Sequence, residues 1–229
     1  MAADPHTGPT AGSWSRRRFL ASGAALAGAA TLAGCGLGRA STPDNSAEPE
    51  QKGNWSGTLL DPPFEKPDLT FTDFDGKPFP FLESTEGKLT LLFFGYTHCP
   101  DIGPVTLNTL ARAREGIGTG PGSRPQVLFV GVDVARDTPA VLKEYLGNID
   151  PTFVGLTASE HVIAEAVRAV KGAPVLIEEA DADGEYAVGH PAQVTVYSPD
   201  DLGHRIYPSG VRQADWVRDL PRLAEGEYR

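Results

Sequence analysis

The stretch KLTLLFFGYTHCPDIGPVTL, residues 88–107, decides the fold. Its first nine residues, 88–96, are a near-continuous apolar run, the pattern of a strand covered on both faces. Cys99 follows closely, and the chain then passes into TLNTLARAREGIG, a helix that offers Leu107, Leu110, Ala111 and Ile117 to a core. Where a strand ends and a helix begins, free backbone amides and the positive end of the helix dipole face the side chain at the junction. A thiol held there is poised as a nucleophile or as a metal ligand.

The alternation continues in both directions. QVLFVGVDV, residues 126–134, is a second buried strand, and DTPAVLKEYLG a well-punctuated helix. That helix has Thr138 or Asp137 as N-cap, Pro139 in its first turn, Val141, Leu142, Tyr145 and Leu146 facing inward, and Gly147 as its stop. SEHVIAEAVRAVKG repeats the design with Ser159 as cap, Ile163, Ala166, Val167 and Val170 inward, and Gly172 at the end. Upstream, LTFTDF (69–74) and KPFPF (77–81) meet at Asp75 and Gly76 as a hairpin. Downstream, PVLIEE and GEYAVG flank the acidic turn ADAD, AQVTVYS and GHRIYP form a last strand pair, and a helix around Trp216, Leu220 and Leu223 closes the chain. This order predicts a single α/β domain, a mixed sheet with helices on both faces, over residues 55–229. Its 175 residues are enough for a proper core.

The front of the chain has a different character. SRRRFLASGAALAGAATLAGC, residues 15–35, has the order of an export signal: three arginines, an apolar stretch from Phe19 to Gly34, then small residues up to Cys35. At 16 residues, mostly Ala and Gly, the stretch is too short and too weakly apolar to span a bilayer. Ser15, Arg16, Arg17, Phe19 and Leu20 resemble a twin-arginine signal, and Leu32, Ala33, Gly34 and Cys35 resemble a lipoprotein box. The resemblance implies that residues 1–34 are a signal peptide, that Cys35 is acylated, and that the protein is anchored to the outer face of the cytoplasmic membrane. Residues 36–54, rich in Gly, Ser, Pro, Glu and Asn, extend from the lipidated cysteine as a flexible tether with a reach of roughly 25 Å. Loss of residues 1–34 removes three arginines and one aspartate, which takes the formal charge from −10 to −12. So acidic a chain is not a nucleic-acid binder and is not drawn to anionic headgroups; the lipid holds it at the membrane.

Of the two cysteines, acylation would consume Cys35 and leave Cys99 as the single thiol. Around it the sequence resembles the Sco (SenC) family of copper-delivery proteins. FFGYTHCPDIGP, DVARDTPAVLKEYL, FVGLTAS and GHPAQVTVYSPD follow in family order, and the likeness runs from about residue 55 to 223. It implies a thioredoxin-like fold and a copper site made of two cysteines four apart and a distant histidine. The family delivers copper to, or reduces the cysteines of, the dinuclear copper site of cytochrome c oxidase subunit II. Carried over, Cys99 matches the first ligand and His190 the histidine, but the second cysteine falls on Gly103; Pro191 is a smaller departure. His98 and Asp101 are candidate additional ligands.

Ligand chemistry says what the glycine costs. Soft thiolates select Cu(I), and imidazole suits either copper state. One thiolate and one imidazole leave a two-coordinate site, weaker than the three-coordinate one, and no disulfide can form at Cys99 without a partner thiol. The sequence therefore points to a membrane-anchored copper chaperone rather than an enzyme, partnered with cytochrome c oxidase subunit II or another copper or thiol protein. Two rival readings use the same residues: a single-cysteine thiol or peroxide redox protein with Cys99 as its catalytic group, and a scaffold whose site has decayed. Asp133, Arg136 and Asp137 are read as an ion pair and helix cap, DADG (181–184) as a hairpin turn rather than a calcium loop, and His161 and His204 as solvated.

Overall fold

A computed structural model describes residues 53–117 and 124–229. The expected signal peptide, Cys35 and nearly all of the tether lie outside these residues. Strands β1 (Thr58–Glu65), β2 (Thr70–Asp73) and β3 (Pro78–Pro80) come first, then the short helix α1 (Phe81–Ser84), β4 (Thr90–Gly95) and α2 (Ile102–Gly116). After them come β5 (Gln126–Gly131), α3 (Pro139–Gly147), β6 (Val154–Thr157), α4 (Glu160–Ala169), β7 (Leu176–Ile177), β8 (Val188–Gly189), β9 (Val194–Tyr197), β10 (Leu202–Tyr207) and α5 (Gln213–Ala224). The main sheet runs β1-β10-β9-β4-β5-β6-β2-β3, and β7 pairs with β8 apart from it. Strands β4, β5 and β6 are parallel, while β9, β10 and β1 on one side and β2 and β3 on the other are antiparallel.

Side chains alternate across the central strands, as the pleat requires. Leu91, Phe93, Val127, Phe129, Val194 and Val196 face the layer of α2, α3 and α5, where Leu107, Leu110, Leu142, Leu146, Trp216 and Leu220 cover them. Leu92, Phe94, Leu128, Val130 and Leu156 face the other way and pack with Phe71, Phe81, Ile163, Ala166 and Val167. Both faces are dry, which is why residues 88–96 and 126–134 read as unbroken apolar runs.

Several elements differ from the sequence expectation. Strand β1 was not anticipated: it holds Pro62 and Pro63 and its pairing with β10 slips between Leu59 and Phe64, both tolerable because it lies at the edge of the sheet. Strand β6 is only four residues long and gave no signal of its own. Helix α2 starts at Ile102 rather than Thr106, because the Asp101 side chain caps it by accepting from the Ile102 amide at 2.6 Å. At α3 the cap is Thr138, whose hydroxyl accepts from the Val141 amide; Asp137 is used elsewhere.

The chain joins the sheet through a clamp. Two guanidiniums lie over the Trp55 ring, Arg205 at 4.0 Å and Arg222 at 3.7 Å from its centroid. Gly57 packs so closely on Tyr207 that a Cβ there would come within 2.5 Å of the ring. Buried Asp219 accepts from the Ser56 amide at 2.9 Å, the Tyr207 hydroxyl at 3.2 Å and Arg218 Nε at 2.7 Å. Thr58 pairs with Ile206, Ile206 with Thr195, and Thr195 with Leu92, a continuous row across four strands.

The same helix gives a pH prediction. Hydrogen bonds from Arg212, joined by Arg218, hold the Asp215 carboxyl at about 2, below its ordinary value. A depressed folded-state pKa contributes stability above the unfolded value near 4 and loses it as pH falls toward 2. Asp215→Asn is expected to cost about 1 kcal/mol at pH 6 after solvent screening, with the gap to wild type closing between about pH 4 and pH 2. Denaturant unfolding across that range checks it; a gap independent of pH would contradict the assignment.

Candidate metal and thiol site

Beyond β4 the chain turns sharply, with the Cys99 amide donating to the Tyr96 carbonyl at 3.1 Å. This seats Cys99 under the first turn of α2, 6 % exposed, with the Gly103 amide donating to Sγ at 3.4 Å. The helix-start amide expected at the strand-to-helix junction is therefore present. Asp101 Oδ1 lies 3.8 Å from the sulfur on another side and accepts from it.

His190 reaches the same end of the sheet from the segment between β8 and β9. Its ring meets Tyr96 edge-on at 5.6 Å and Phe93 at 6.2 Å. Nδ1 is 3.0 Å from the Pro191 carbonyl oxygen, which can only accept, so Nδ1 carries the proton and Nε2 keeps a free lone pair. A second hydrogen bond that fixes the tautomer is what a metal-ligating imidazole needs. The β7–β8 hairpin that delivers His190 is itself pinned. Arg136 pairs with buried Asp133, stacks 3.6 Å from the Tyr186 ring centroid and donates to the Tyr186 carbonyl at 3.0 Å; the Tyr186 hydroxyl donates to Asp133 at 3.0 Å.

The candidate extra ligands are engaged otherwise. Asp101 caps α2, and exposed His98 has Nδ1 3.1 Å from Thr97 Oγ1. The Thr97 hydroxyl donates to Asp137 at 2.7 Å, so Asp137 receives both the amide and the hydroxyl of Thr97 instead of capping α3. Burial pushes the Asp137 carboxyl up, against the lowering effect of those two bonds. Among the described residues no group of three or more His, Cys, Asp or Glu side chains gathers as a metal site. Cys99 and His190 both lie beside Tyr96, the first through its amide and the second through its ring.

One group at the site, Tyr145, was not visible as such in the sequence. A Cβ on Gly103 would lie 3.2 Å from Cys99 Cβ, 3.6 Å from Sγ and 3.7 Å from Tyr145 Oη. Tyr145 had been read only as an inward-facing residue of α3. Its hydroxyl is buried without a hydrogen-bond partner, and burial, with the nearby Cys99 and Asp137, pushes it up to about 12. Elsewhere, DADG is a hairpin turn, with Asp181 accepting from the amides of Asp183 and Glu185. His161 is exposed beside Glu165. His204 is not solvated: it stacks on Tyr228 with ring centroids 3.6 Å apart, pairs with Asp200 at 2.7 Å, and its side chain is 12 % exposed.

A mixed sheet with helices on both faces and a cysteine where the central strand gives way to a helix defines a thioredoxin-like domain. The chain belongs to the SCO1/SenC family, whose profile matches residues 60–225. It is 34 % identical over 157 residues to the mitochondrial protein SCO2 of Saccharomyces cerevisiae, covering 69 % of this chain and 51 % of that one. It spans about half the length of this relative, and also of the mitochondrial SCO2 homolog of Bos taurus, of which 53 % is covered. Among solved structures, apo Sco1 from Thermus thermophilus is similar with a TM-score of 0.66 at 33 % identity, over 74 % of this chain and 96 % of that one. Arabidopsis thaliana ScoI with copper bound gives 0.63 at 28 %, over 75 % and 99 %.

Proposed function

We propose that this protein is a copper chaperone of the Sco type that serves cytochrome c oxidase assembly, carrying Cu(I) on Cys99 and His190 and handing it to subunit II or another copper protein. The observation that carries the reading is the His190 tautomer: the bond from Nδ1 to the Pro191 carbonyl leaves Nε2 free as a donor, at the end of the sheet that holds Cys99. Soft thiolate and imidazole suit Cu(I), and a two-donor site leaves coordination positions for a partner's ligands during transfer. Copper is cargo here, so a weak site is compatible with the task. The export signal and Cys35 support a lipid-anchored position on the outer face of the cytoplasmic membrane, which mass measurement of the protein from cells would test through the acyl group.

The binding test uses the chain carrying Cys35→Ser, in which Cys99 is the single thiol. Titration with Cu(I) against a competing chelator is expected to show one site, weakened at least tenfold by Cys99→Ser and by His190→Ala. Equal binding in all three proteins, or none, would overturn the reading and leave the scaffold alternative.

A further inference from the structure

The β7–β8 hairpin that leads into His190 leaves one edge open. Leu176 pairs with Gly189 and Ile177 with Val188, and the Glu178 amide donates to the Ala187 carbonyl at 3.0 Å. Backbone groups alternate in direction along an antiparallel strand, so those of Ile177 and Glu179 point away from β8, and among the described residues they find no backbone partner. Leu176 and Ile177 are 64 % and 55 % exposed, two of the four large apolar side chains exposed among the described residues. Ile177 also lines an apolar groove of about 370 Å³, walled by Ile163 and Val167 of α4 and by Pro174 and Val175. An unpaired edge, exposed apolar side chains and a groove beside them mark a surface that something covers. Charge says what kind of thing. Residues 176–187 hold five exposed carboxylates, Glu178, Glu179, Asp181, Asp183 and Glu185, and no lysine or arginine. Glu185 has Arg136 at 3.7 Å; at the groove Glu160 adds a further carboxylate, and Arg168 lies 3.8 Å from Glu165. A second copy of the chain would bring an equally acidic hairpin against this one, and an anionic membrane surface would be repelled likewise, whereas a basic occupant is attracted.

We propose that the outer edge of β7 docks an extended segment of a partner protein in which basic and apolar side chains alternate. The segment adds to the hairpin as a third strand, its backbone bonding to the outward N–H and C=O groups of Ile177 and Glu179. Its apolar side chains lie beside Ile177 and enter the groove, and the basic ones between them fall on the face of Leu176 and Glu178. Main-chain bonds supply the affinity, while the groove and the carboxylates select the pattern. Arg136, stacked on Tyr186 and donating to its carbonyl, holds the hairpin in place, so the edge is formed before the partner arrives. Val188 and Gly189 lead directly to His190, and a segment seated on β7 lies two strand spacings, roughly 10 Å, from that strand. The partner is thereby brought to the site without occupying Cys99. It is the copper recipient only under the transfer reading; the docking itself is measured on the metal-free chain, so the two fail separately.

The test takes the metal-free Cys35→Ser chain at low salt and adds three octapeptides with blocked ends: alternating lysine and valine, alternating lysine and serine, and alternating glutamate and valine. The lysine–valine peptide is expected to bind at one site, to weaken as salt is raised, and to slow amide exchange at Ile177 and Glu179 about fivefold, while the other two bind about tenfold more weakly. Ile177→Ser, which removes the apolar side chain at the groove, and the double variant Glu178→Lys, Glu179→Lys, which reverses the charge, should each weaken the lysine–valine peptide about tenfold. All three positions are exposed, and unchanged thermal midpoints establish that the variants are folded. No binding of the lysine–valine peptide would overturn the proposal. Equal binding of the lysine–serine peptide, or binding without slower exchange at Ile177, would reduce the effect to attraction by net charge and overturn it as well. Dimerisation of the chain that is lost in Ile177→Ser would give the edge to a second copy, against the proposal.

Discussion

Gly103→Cys is expected to bind Cu(I) on the order of 10³-fold more tightly than wild type, about 4 kcal/mol at 1.4 kcal/mol per tenfold. The backbone at 103 already presents its Cβ direction to Cys99, 3.2 Å from Cβ and 3.6 Å from Sγ. That is slightly closer than the range of about 3.5–4.5 Å found between the Cβ atoms of paired cysteines, so the first turn of α2 must yield by a few tenths of an ångström. The gain comes from a second soft thiolate, which raises the site from two donors to three. The same variant should form an intramolecular disulfide when oxidised, which wild type cannot. Competition titration beside thiol counting reads both effects. A gain of less than tenfold would mean that the backbone at 103 no longer suits copper, and that the site has drifted further than one side chain.

Asp219→Ala should destabilise the fold by about 3–5 kcal/mol, the scale for breaking a buried charge network. The carboxylate is fully buried and serves three donors, on the segment before β1, on β10 and on α5. Its removal strands the Tyr207 hydroxyl and the Ser56 amide, each at the cost of a buried unpaired group. Arg218→Ala should cost much less, about 1 kcal/mol, because the Arg218 side chain is 32 % exposed and water can replace it. Urea unfolding with an unchanged slope would measure both. Equal losses in the two variants would show that the ion pair, rather than the junction with Ser56 and Tyr207, carries the effect.

How much could be read beforehand depended on whether the cause was local. Strands β4 and β5 were legible because both their faces are dry, and the hairpin of β2 and β3 because Gly76 supplies the positive φ its turn requires. Strand β1 was hidden because an edge needs only half its hydrogen bonds and so admits prolines, and the start of α2 because Pro100 and Pro104 around its cap look like loop. At the candidate site, Cys99 and His190 are singled out through the family likeness of the segments that carry them. Tyr145 was not, since an inward tyrosine is ordinary on a helix, and its unpaired hydroxyl depends on how α3 crosses toward the first turn of α2. The work of Asp137 was hidden for the same reason: its partner Thr97 is 40 positions away.

The row Thr58–Ile206–Thr195–Leu92 has a mechanical meaning. Three inter-strand steps put Thr58 about 14 Å from Leu92, midway along β4, and three antiparallel pairings make β1 run opposite to β4, so the start of β1 lies toward the end of β4 that leads to Cys99. If the chain is fastened to a membrane through the segment before Trp55, as proposed, the attachment would join the sheet toward the end that carries the thiol. The thiol would then sweep a smaller volume than the far end of the sheet, and its local concentration at a target in the same membrane would rise without any contact between the two proteins.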